Sequence, residues 1–386
     1  MTLGPTDRVR SVERSSIRYM FDIAEEVDDD LVRLEVGIPD FDTPTHVTDA
    51  ACRAARDGHT SYTTNAGNPA LRDAIADHMA RDYGTRVDPD EVIVTTGGME
   101  ALHLAALCTV SAGDEVVFPT PGFPNYWVQA RLADGVPAPV PMPAESGFDL
   151  NADRLVDAIG PDTALVILCS PNNPTGRTYD PETVRAVVDA AADHDAYVVA
   201  DEVYLGLSYE DDPRSVAAMT GNPENVLTVN SCSKRYAMTG WRVGWLAGTT
   251  DIVDQATKIH ESTTSCAPSV SQHAALAALT GPQDAAEEMY DAFRERRDYV
   301  VDRVADIDGL ACPRPEGAFY AFLDPDLPGT SLEMAEHLLR EYGVVLAPGD
   351  GFGEAGTGWL RLSFANSLDR LETGFDRLER AIDDAR

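Results

Sequence analysis

Lys234 is one of only two lysines in a chain of 386 residues; the rest of its 30 basic residues are arginines. It closely follows an apolar run, and the hydroxyl side chains of Ser231 and Ser233 and the guanidinium of Arg242 are its neighbours in sequence. A lysine is a primary amine, which can condense with an aldehyde, whereas an arginine side chain stays protonated and cannot. We therefore predict that Lys234 serves covalent chemistry and not charge.

Two further segments follow apolar runs and could contact an anion and a planar ring. Gly97 and Gly98 separate the run 91–96 from a helical pattern, and paired glycines let backbone N–H groups approach an anion at a helix N-terminus. Phe123 follows the run 115–120 and could stack on an aromatic ring. Taken alone, the glycines are at least as typical of an ordinary strand-to-helix turn, and Phe123 of core or rim packing.

Two more segments carry groups that could hold a polar ring. Asp201 ends the run 196–201, and a carboxylate at the end of a buried strand needs a partner because burying it alone is costly. Tyr204 follows shortly after, and Asn173 lies in the turn sequence SPNNPTG, where its amide could donate a hydrogen bond. Open α/β sheets bind ligands beyond the carboxyl ends of their strands, which is where these groups are expected.

Together these groups fit an aldehyde cofactor that carries a phosphate, an aromatic ring, a ring nitrogen and a phenolic oxygen. The glycine pair, the two serines and Arg242 suit the phosphate, Arg242 through its bidentate fork. Phe123 would stack on the ring, and Asp201 would keep the ring nitrogen protonated, so that the ring accepts electrons. Tyr204 and Asn173 would hydrogen-bond the phenolic oxygen, and the lysine would condense with the aldehyde.

The order of apolar runs and helical patterns predicts the fold that positions these groups. β-Branched runs predict strands at 91–96, 115–120, 164–170, 196–201 and 226–231. Helical spacing predicts helices at 46–58, 69–83 and 182–194. This alternation is typical of an open, mostly parallel α/β sheet with helices on both faces.

The pattern changes after residues 281–282. A long charged helix at 284–305, a helix near 331–342 and short apolar runs between them predict a smaller α+β domain, which the segment 31–36 is expected to join. The predicted division of the chain is an N-terminal arm and part of the small domain at 1–45, a large cofactor-binding domain at 46–282 and a small domain at 283–386.

The composition narrows the class of protein. A formal net charge of −35, with 65 acidic residues scattered along the chain, argues against binding to nucleic acid or to an anionic membrane. Such a surface with almost no lysine resembles proteins of salt-accumulating halophilic archaea; an acidic mesophilic protein is the alternative. Six widely separated cysteines, and eight histidines without metal-ligand spacing, predict a reducing compartment and no metal site. With neither a secretory leader nor a transmembrane run, the sequence predicts a cytoplasmic protein.

Several short motifs occur in one order along the chain: VGIPDF, YTTNAGNPALRDAIA, TTGGMEAL, SPNNPTG, ADEVY, SCSKRYAMTGWRVGW, EGAFYAF and LRLSFA. Each is weak alone, but the ordered set resembles the fold type I, pyridoxal-phosphate-dependent class I/II aminotransferases over roughly residues 15–380. The resemblance implies a large domain with a mostly parallel sheet sandwiched by helices and a smaller α+β domain. It also implies transfer of the amino group of an L-amino acid to a 2-oxo acid by a ping-pong mechanism, with pyridoxal 5′-phosphate as cofactor and Lys234 as the Schiff-base lysine.

The resemblance also implies roles for individual residues. Arg361 in LRLSFA matches the arginine that clamps the substrate α-carboxylate, helped by Asn173 and the backbone of Gly37. Tyr62 matches a tyrosine that reaches the cofactor phosphate of the partner subunit, which implies a homodimer. Arg18 is a candidate for the distal carboxylate of a dicarboxylic substrate; an exposed helix arginine is the alternative. Catalytic roles are implied for Lys234, Asp201 and Tyr204, and cofactor binding for these three with Gly97, Gly98, Met99, Phe123, Asn173, Ser231, Ser233, Arg242 and Tyr62.

Three other hypotheses share part of this pattern. A carbon–sulfur lyase or a decarboxylase on the same scaffold would also use Lys234, Asp201 and Arg361. A non-catalytic regulator that binds the cofactor would carry an additional DNA-binding domain, for which the chain has neither the length nor the basic surface. A nucleotide-binding protein is disfavoured because the phosphate-binding loops G-x-G-x-x-G and G-x-x-x-x-G-K-[ST] are missing. The sequence does not name the amino-acid side chain that is accepted.

Overall fold

The computed structural model describes residues 4–12, 14–27, 30–209, 213–221 and 223–386. The strands are β1 (Val32–Arg33), β2 (Val92–Thr95), β3 (Glu115–Thr120), β4 (Val136–Pro141), β5 (Thr163–Cys169), β6 (Tyr197–Asp201), β7 (Val226–Ser231), β8 (Gly244–Ala247), β9 (Leu310–Ala311), β10 (Tyr320–Pro325), β11 (Val344–Val345), β12 (Ala347–Pro348) and β13 (Leu360–Ser363). The helices are α1 (Asp7–Arg10), α2 (Ser16–Glu26), α3 (Thr45–Arg56), α4 (Pro69–Tyr83), α5 (Gly98–Thr109), α6 (Asn125–Leu132), α7 (Ala152–Ala158), α8 (Pro181–Asp193), α9 (Val216–Thr220), α10 (Thr250–Thr263), α11 (Ser269–Thr280), α12 (Asp284–Asp306), α13 (Ser331–His337) and α14 (Leu368–Ala385).

The central sheet has seven strands in the order β2-β8-β7-β6-β5-β3-β4. Its neighbouring strands are parallel except β8, which runs antiparallel to both β2 and β7. Leu165 and Ile167 of β5 pack in the core beneath α5 and α10, whereas Val166 and Leu168 pack in the core beneath α7 and α8. Because successive side chains of a strand point to opposite faces, helices cover both sides of the sheet. The predicted fold class is confirmed.

The strand predictions are confirmed for β2, β3, β5, β6 and β7, but the sequence analysis missed β4 and β8. Strand β4 has the sequence VPAPVP, and prolines lower the expectation of a strand because they cannot donate to a ladder. It lies at the edge of the sheet, paired only with β3 among the described strands, where prolines are tolerated. Strand β8 is four residues long and is the antiparallel member of the sheet, which alternation of strands and helices does not predict.

The helices begin and end at recognisable signals. Helix α4 begins after Asn68, whose side chain accepts a hydrogen bond from the Ala70 N–H, with Pro69 in the first turn, and it ends at Gly84 with φ of 74°. Helix α8 begins after Asp180, whose carboxylate accepts from two backbone N–H groups. None of the helices in the described ranges has both the length and the apolar composition needed to cross a bilayer.

The C-terminal elements form a second structural layer. An antiparallel sheet of order β12-β13-β10-β9 packs with α12, α13 and α14, and β1 joins β11 in a parallel pair. The segment 31–36 thus contributes strand β1 to this pair. Phe293, Phe319 and Phe375 are buried in the shared core. The domain boundaries at 45 and 282 stay a prediction.

Candidate active site

A cavity of about 330 Å³ lies at the carboxyl ends of β5, β6 and β7. Asp201 ends β6 and Ser231 ends β7, so the polar groups that follow these parallel strands meet at one edge of the sheet. The residues predicted for the site that line this cavity are Gly37, Gly98, Met99, Phe123, Asn173, Asp201, Tyr204, Ser231, Ser233, Lys234, Arg242 and Arg361.

Lys234 lies in the turn after β7 and points its amine into the cavity. Its Nζ donates a hydrogen bond to the Gly37 carbonyl at 2.8 Å. Burial, followed by the nearby cations Arg361 and Arg242, lowers the pKa of Lys234 to about 8, although Asp201 opposes this shift. An amine with such a pKa is partly neutral near neutral pH, and the neutral form is the nucleophile.

Asp201 is buried, and its carboxylate has a tyrosine as partner. The Tyr126 hydroxyl donates to Asp201 Oδ2 at 2.8 Å, while Oδ1 accepts a long contact of 3.5 Å from the Val203 N–H. Burial raises the pKa of Asp201 to about 6, against the lowering effect of the Tyr126 hydrogen bond. A cationic ring nitrogen beside this carboxylate would favour its ionised form. Tyr126 was not predicted as this partner, because the sequence shows there only an aromatic residue after a strand.

One end of the cavity suits a phosphate. Helix α5 begins at Gly98, so its first backbone N–H groups are open for an anion. Gly97 has φ of 80°, and a side chain on it would overlap the Arg242 guanidinium. Arg242 donates to the carbonyls of Thr239 at 2.8 Å and Thr96 at 3.3 Å, which holds it beside the glycines. Because the two glycines have no side chains, the Arg242 guanidinium and a phosphate can both lie next to them.

The other end of the cavity suits a carboxylate. Arg361 of β13 is buried and donates to Asn173 Oδ1 at 3.0 Å and to the Glu35 carbonyl at 2.6 Å. Its Nε is also buried and finds no hydrogen-bond acceptor among the described residues. A buried donor without a partner is costly, so a bound carboxylate would satisfy it.

Aromatic residues line the part of the cavity between these two ends. Phe123 lines the cavity and packs edge-on against Tyr126, with ring centroids 5.8 Å apart. The Tyr204 hydroxyl lies 2.8 Å from the Tyr320 hydroxyl. Tyr320 lies in the motif EGAFYAF, but the sequence analysis gave it no role. The donor set therefore fits pyridoxal phosphate: amides and an arginine for the phosphate, a buried carboxylate for the ring nitrogen and an amine for the aldehyde.

Three of the predicted site residues do not line the cavity. Gly97 lies just outside it, against Arg242. Tyr62 is 85% exposed, so it does not reach the cavity of its own subunit. Arg18 lies on α2, where its Nε pairs with Asp22 at 2.9 Å and its side chain is 67% exposed. Arg18 is therefore exposed and is not among the residues that line the cavity, and its role toward a distal carboxylate stays a prediction.

The chain is similar to known proteins over nearly its whole length. The profile of the family aminotransferase class I and II matches residues 29–378. An aspartate aminotransferase of Pyrococcus horikoshii is 36% identical over 382 residues, covering 98% of this chain and 97% of that protein. An aspartate aminotransferase of Geobacillus stearothermophilus is 38% identical over 388 residues, covering 97% of this chain and 98% of that protein.

A solved structure shows the same fold. Aspartate aminotransferase from Thermus thermophilus with maleate superposes with a TM-score of 0.93 at 37% sequence identity, covering 98% of this chain and 100% of that chain. Similarity of this extent covers both the central sheet and the C-terminal layer.

Proposed function

The chain belongs to the aminotransferase class I and II family, and from that premise we propose how its residues carry out the reaction. It is a pyridoxal-phosphate-dependent amino-acid aminotransferase of fold type I. When bound, the cofactor supplies a carrier for the amino group and an electron-accepting ring. Binding, orientation and proton transfer are the tasks of the protein's own side chains.

Lys234 is the residue proposed to hold the cofactor and to move the proton at the substrate Cα. The observation that carries this proposal is its position: Nζ lies in the cavity, 2.8 Å from the Gly37 carbonyl, with a pKa of about 8. An amine that loses its proton near neutral pH can act as nucleophile and as general base. The other lysine of the chain, Lys258, donates instead to Gln255 on the exposed side of α10.

Asp201 is proposed to face the cofactor ring nitrogen and keep it protonated. Its burial at the end of β6 supports this role, because a buried carboxylate interacts strongly with a cationic partner. Tyr126 would hold the carboxylate in place through its hydroxyl. Tyr204 and Asn173 are proposed to contact the phenolic oxygen of the cofactor, and Phe123 to stack on its ring.

The phosphate is proposed to bind at the N-terminus of α5. The backbone N–H groups from Gly98 and Met99 would donate to it, together with the hydroxyls of Ser231 and Ser233. Arg242 would add a charge-assisted bond from beside Gly97. All of these groups except Gly97 line the cavity, which supports the assignment.

Arg361 is proposed to clamp the α-carboxylate of the amino acid and of the 2-oxo acid. Its Nε, which has no acceptor in the described part of the chain, and its contact with Asn173 support this role. The substrate therefore needs a free α-carboxylate. Aspartate is the first amino donor to test, because the two relatives described above are named aspartate aminotransferases.

We also propose that the active unit is a homodimer. Tyr62 is 85% exposed, although a tyrosine ring is a large apolar surface, and it lies outside its own subunit's cavity. Both facts fit a side chain that reaches the cofactor phosphate of a partner subunit. A cytoplasmic location and a halophilic source stay predictions from composition.

The ping-pong scheme is tested by supplying one substrate at a time. With an amino acid and no 2-oxo acid, the purified holoenzyme should release one equivalent of 2-oxo acid and stop, with its cofactor recovered as pyridoxamine phosphate. Adding 2-oxoglutarate or another 2-oxo acid should restore the starting absorbance spectrum. Continuous release of ammonia or carbon dioxide from the amino acid alone would indicate a lyase or a decarboxylase instead.

A further inference from the structure

Tyr320 has no role in the function proposed above, although it contacts several residues of the proposed site. It is the first residue of β10 and is only 2% exposed, yet it lines the cavity. Its hydroxyl meets Tyr204, its ring meets Arg361, and a side chain on Gly37 would overlap its hydroxyl. Tyr204 is proposed to bind the cofactor and Arg361 the substrate, and the Gly37 carbonyl accepts the hydrogen bond of Lys234.

The role proposed for Tyr204 requires one direction for the hydrogen bond between the Tyr204 and Tyr320 hydroxyls. The two phenolic oxygens lie 2.8 Å apart, so one phenol donates to the other. Burial raises the pKa of Tyr204 and of Tyr320, so each keeps its proton at neutral pH. Tyr204 has a single proton, which is free for the cofactor's phenolic oxygen only if Tyr320 donates the bond between them. Accepting that bond also polarises the O–H of Tyr204 and strengthens it as a donor.

The ring of Tyr320 supports the guanidinium of Arg361. The guanidinium carbon lies 4.3 Å from the Tyr320 ring centroid and 5.0 Å from that of Phe352. Contact with these two rings restrains the orientation of the guanidinium, and its hydrogen bonds to Asn173 and the Glu35 carbonyl restrain it further. The position of Nε, for which the described residues offer no acceptor, is thereby restrained before any substrate binds.

We infer that Tyr320 is a positioning residue for both ends of the site: its hydroxyl orients Tyr204 toward the cofactor, and its ring orients Arg361 toward the substrate carboxylate. The inference rests on the roles proposed above for Tyr204 and Arg361. One side chain then sets the spacing between the cofactor and the substrate carboxylate. That spacing decides whether the substrate Cα meets the Lys234 amine, and small misplacements of reacting groups are costly in rate.

Removing the hydroxyl alone tests the first half of the inference. In Tyr320→Phe, Tyr204 loses its donor and gives a weaker bond to the cofactor's phenolic oxygen. The phenolic oxygen then keeps more of its negative charge, so the Lys234 nitrogen joined to the cofactor holds its proton more tightly. The visible absorbance of the bound cofactor should therefore titrate about half to one pH unit higher than in the wild type. The KM for the amino acid should change less than about twofold, since the ring still supports Arg361.

Removing the ring tests the second half. Tyr320→Leu should shift the titration as Tyr320→Phe does and, in addition, raise the KM for the amino acid about three- to tenfold, which is the expected loss of one stacked cation–π contact. Tyr290→Phe is the control, because it also deletes a hydrogen-bonded phenol hydroxyl, but one that is part-buried and donates to the Ser208 carbonyl at 3.0 Å outside the cavity. It should change neither the titration nor the KM.

A double variant separates this inference from the proposed function. Tyr204→Phe should shift the titration at least as far as Tyr320→Phe, and combining the two should shift it no further, because Tyr320 acts through Tyr204. A shift with Tyr204→Phe but none with Tyr320→Phe overturns the inference and leaves the role of Tyr204 intact. If neither variant shifts the titration, the role proposed for Tyr204 is wrong, and the inference about Tyr320, which depends on that role, is wrong with it. Additive shifts also overturn it, because Tyr320 would then act independently.

Discussion

Two arginines at opposite ends of one cavity act on the same amine. Arg361 and Arg242 both lower the pKa of Lys234, and they are also the cations proposed to bind the substrate carboxylate and the cofactor phosphate. When those anions bind, the positive charge facing Lys234 is neutralised, so the amine becomes more basic. The electrostatics therefore favour a nucleophilic lysine before the two anions bind and a more basic lysine, better able to take up the proton at the substrate Cα, afterwards.

The pH dependence of cofactor incorporation follows from this arrangement. Only the unprotonated amine condenses with an aldehyde, and raising the pH through the pKa of Lys234 removes its proton. The rate at which pyridoxal phosphate joins the apoprotein should therefore rise with pH, with its midpoint near the pKa of about 8, and level off at higher pH. Stopped-flow absorbance measurements across this range would show it.

A pair of variants identifies the cause of that profile. Arg361→Gln removes a cation that faces Lys234, so the midpoint should move to higher pH. Arg18→Gln removes an exposed arginine paired with Asp22 and should leave the midpoint in place. A profile that is flat for the wild type, or equal shifts in both variants, would contradict the electrostatic explanation.

Individual reactive residues could be predicted from sequence, but their partners could not. Lys234 and Asp201 stand out because a rare lysine and a carboxylate follow apolar runs. The contacts Tyr126–Asp201 and Tyr204–Tyr320 join residues 75 and 116 positions apart in sequence. Which strands become neighbours decides such contacts, and residue spacing within one run carries no information about that pairing.

At the scale of elements, the strand ends do the positioning. Parallel β5, β6 and β7 bring their carboxyl ends to one edge, and this was predictable because their β-branched runs are separated by turn and helix signals. The antiparallel strand β8 was not predictable from that alternation. It is structurally important, because a side chain on Gly244 would lie 2.6 Å from the backbone of Gly97 and Gly98. Strand β8 therefore packs directly against the glycine pair at the phosphate end of the cavity.

Gly97→Ala should weaken cofactor binding more than it destabilises the fold. Both Gly97, with φ of 80°, and Gly113, with φ of 95°, have backbone conformations that cost an alanine on the order of 1–3 kcal/mol. Only at Gly97 would the new methyl group also overlap the Arg242 guanidinium, whereas a methyl group at Gly113 meets nothing within 4 Å. We expect similar falls in Tm for the two variants, with a rise in the Kd for pyridoxal phosphate of about tenfold for Gly97→Ala alone. Equal Kd values would argue against Arg242 as a phosphate ligand.

At the scale of the whole molecule, each cavity is proposed to be completed by a second copy of the chain. If Tyr62 serves the partner's cofactor, a variant without Lys234 and a variant without Tyr62 can complement each other. In a mixed dimer of Lys234→Ala and Tyr62→Ala, the cavity that keeps its lysine receives the tyrosine of its partner. After subunit exchange of an equal mixture, about one quarter of all sites should be intact, because half of the dimers are mixed and each has one complete site.

The measurement is the fraction of sites that bind pyridoxal phosphate with wild-type affinity, with light scattering to confirm the dimer. Tyr19→Ala replaces Tyr62→Ala as the control, since Tyr19 is an exposed tyrosine that bonds to Glu336 of its own subunit. The Tyr19→Ala dimer should bind pyridoxal phosphate with wild-type affinity even before it is mixed with the other variant. A fully active monomer, or no gain of intact sites on mixing, would rule out the proposed role of Tyr62.

The charge of the whole molecule leads to a prediction about salt. With 65 acidic and 30 basic residues, the net charge of −35 makes the folded surface repel itself. Salt has two opposing effects, because it screens this repulsion and also weakens surface ion pairs such as Arg81–Asp82. Exposed pairs each contribute at most about 1 kcal/mol, so relief of the general repulsion should dominate as the Debye length falls to about 3 Å at 1 M salt. Tm and activity should therefore be higher in molar KCl than in dilute buffer, and equal or higher values in dilute buffer would contradict a halophilic source.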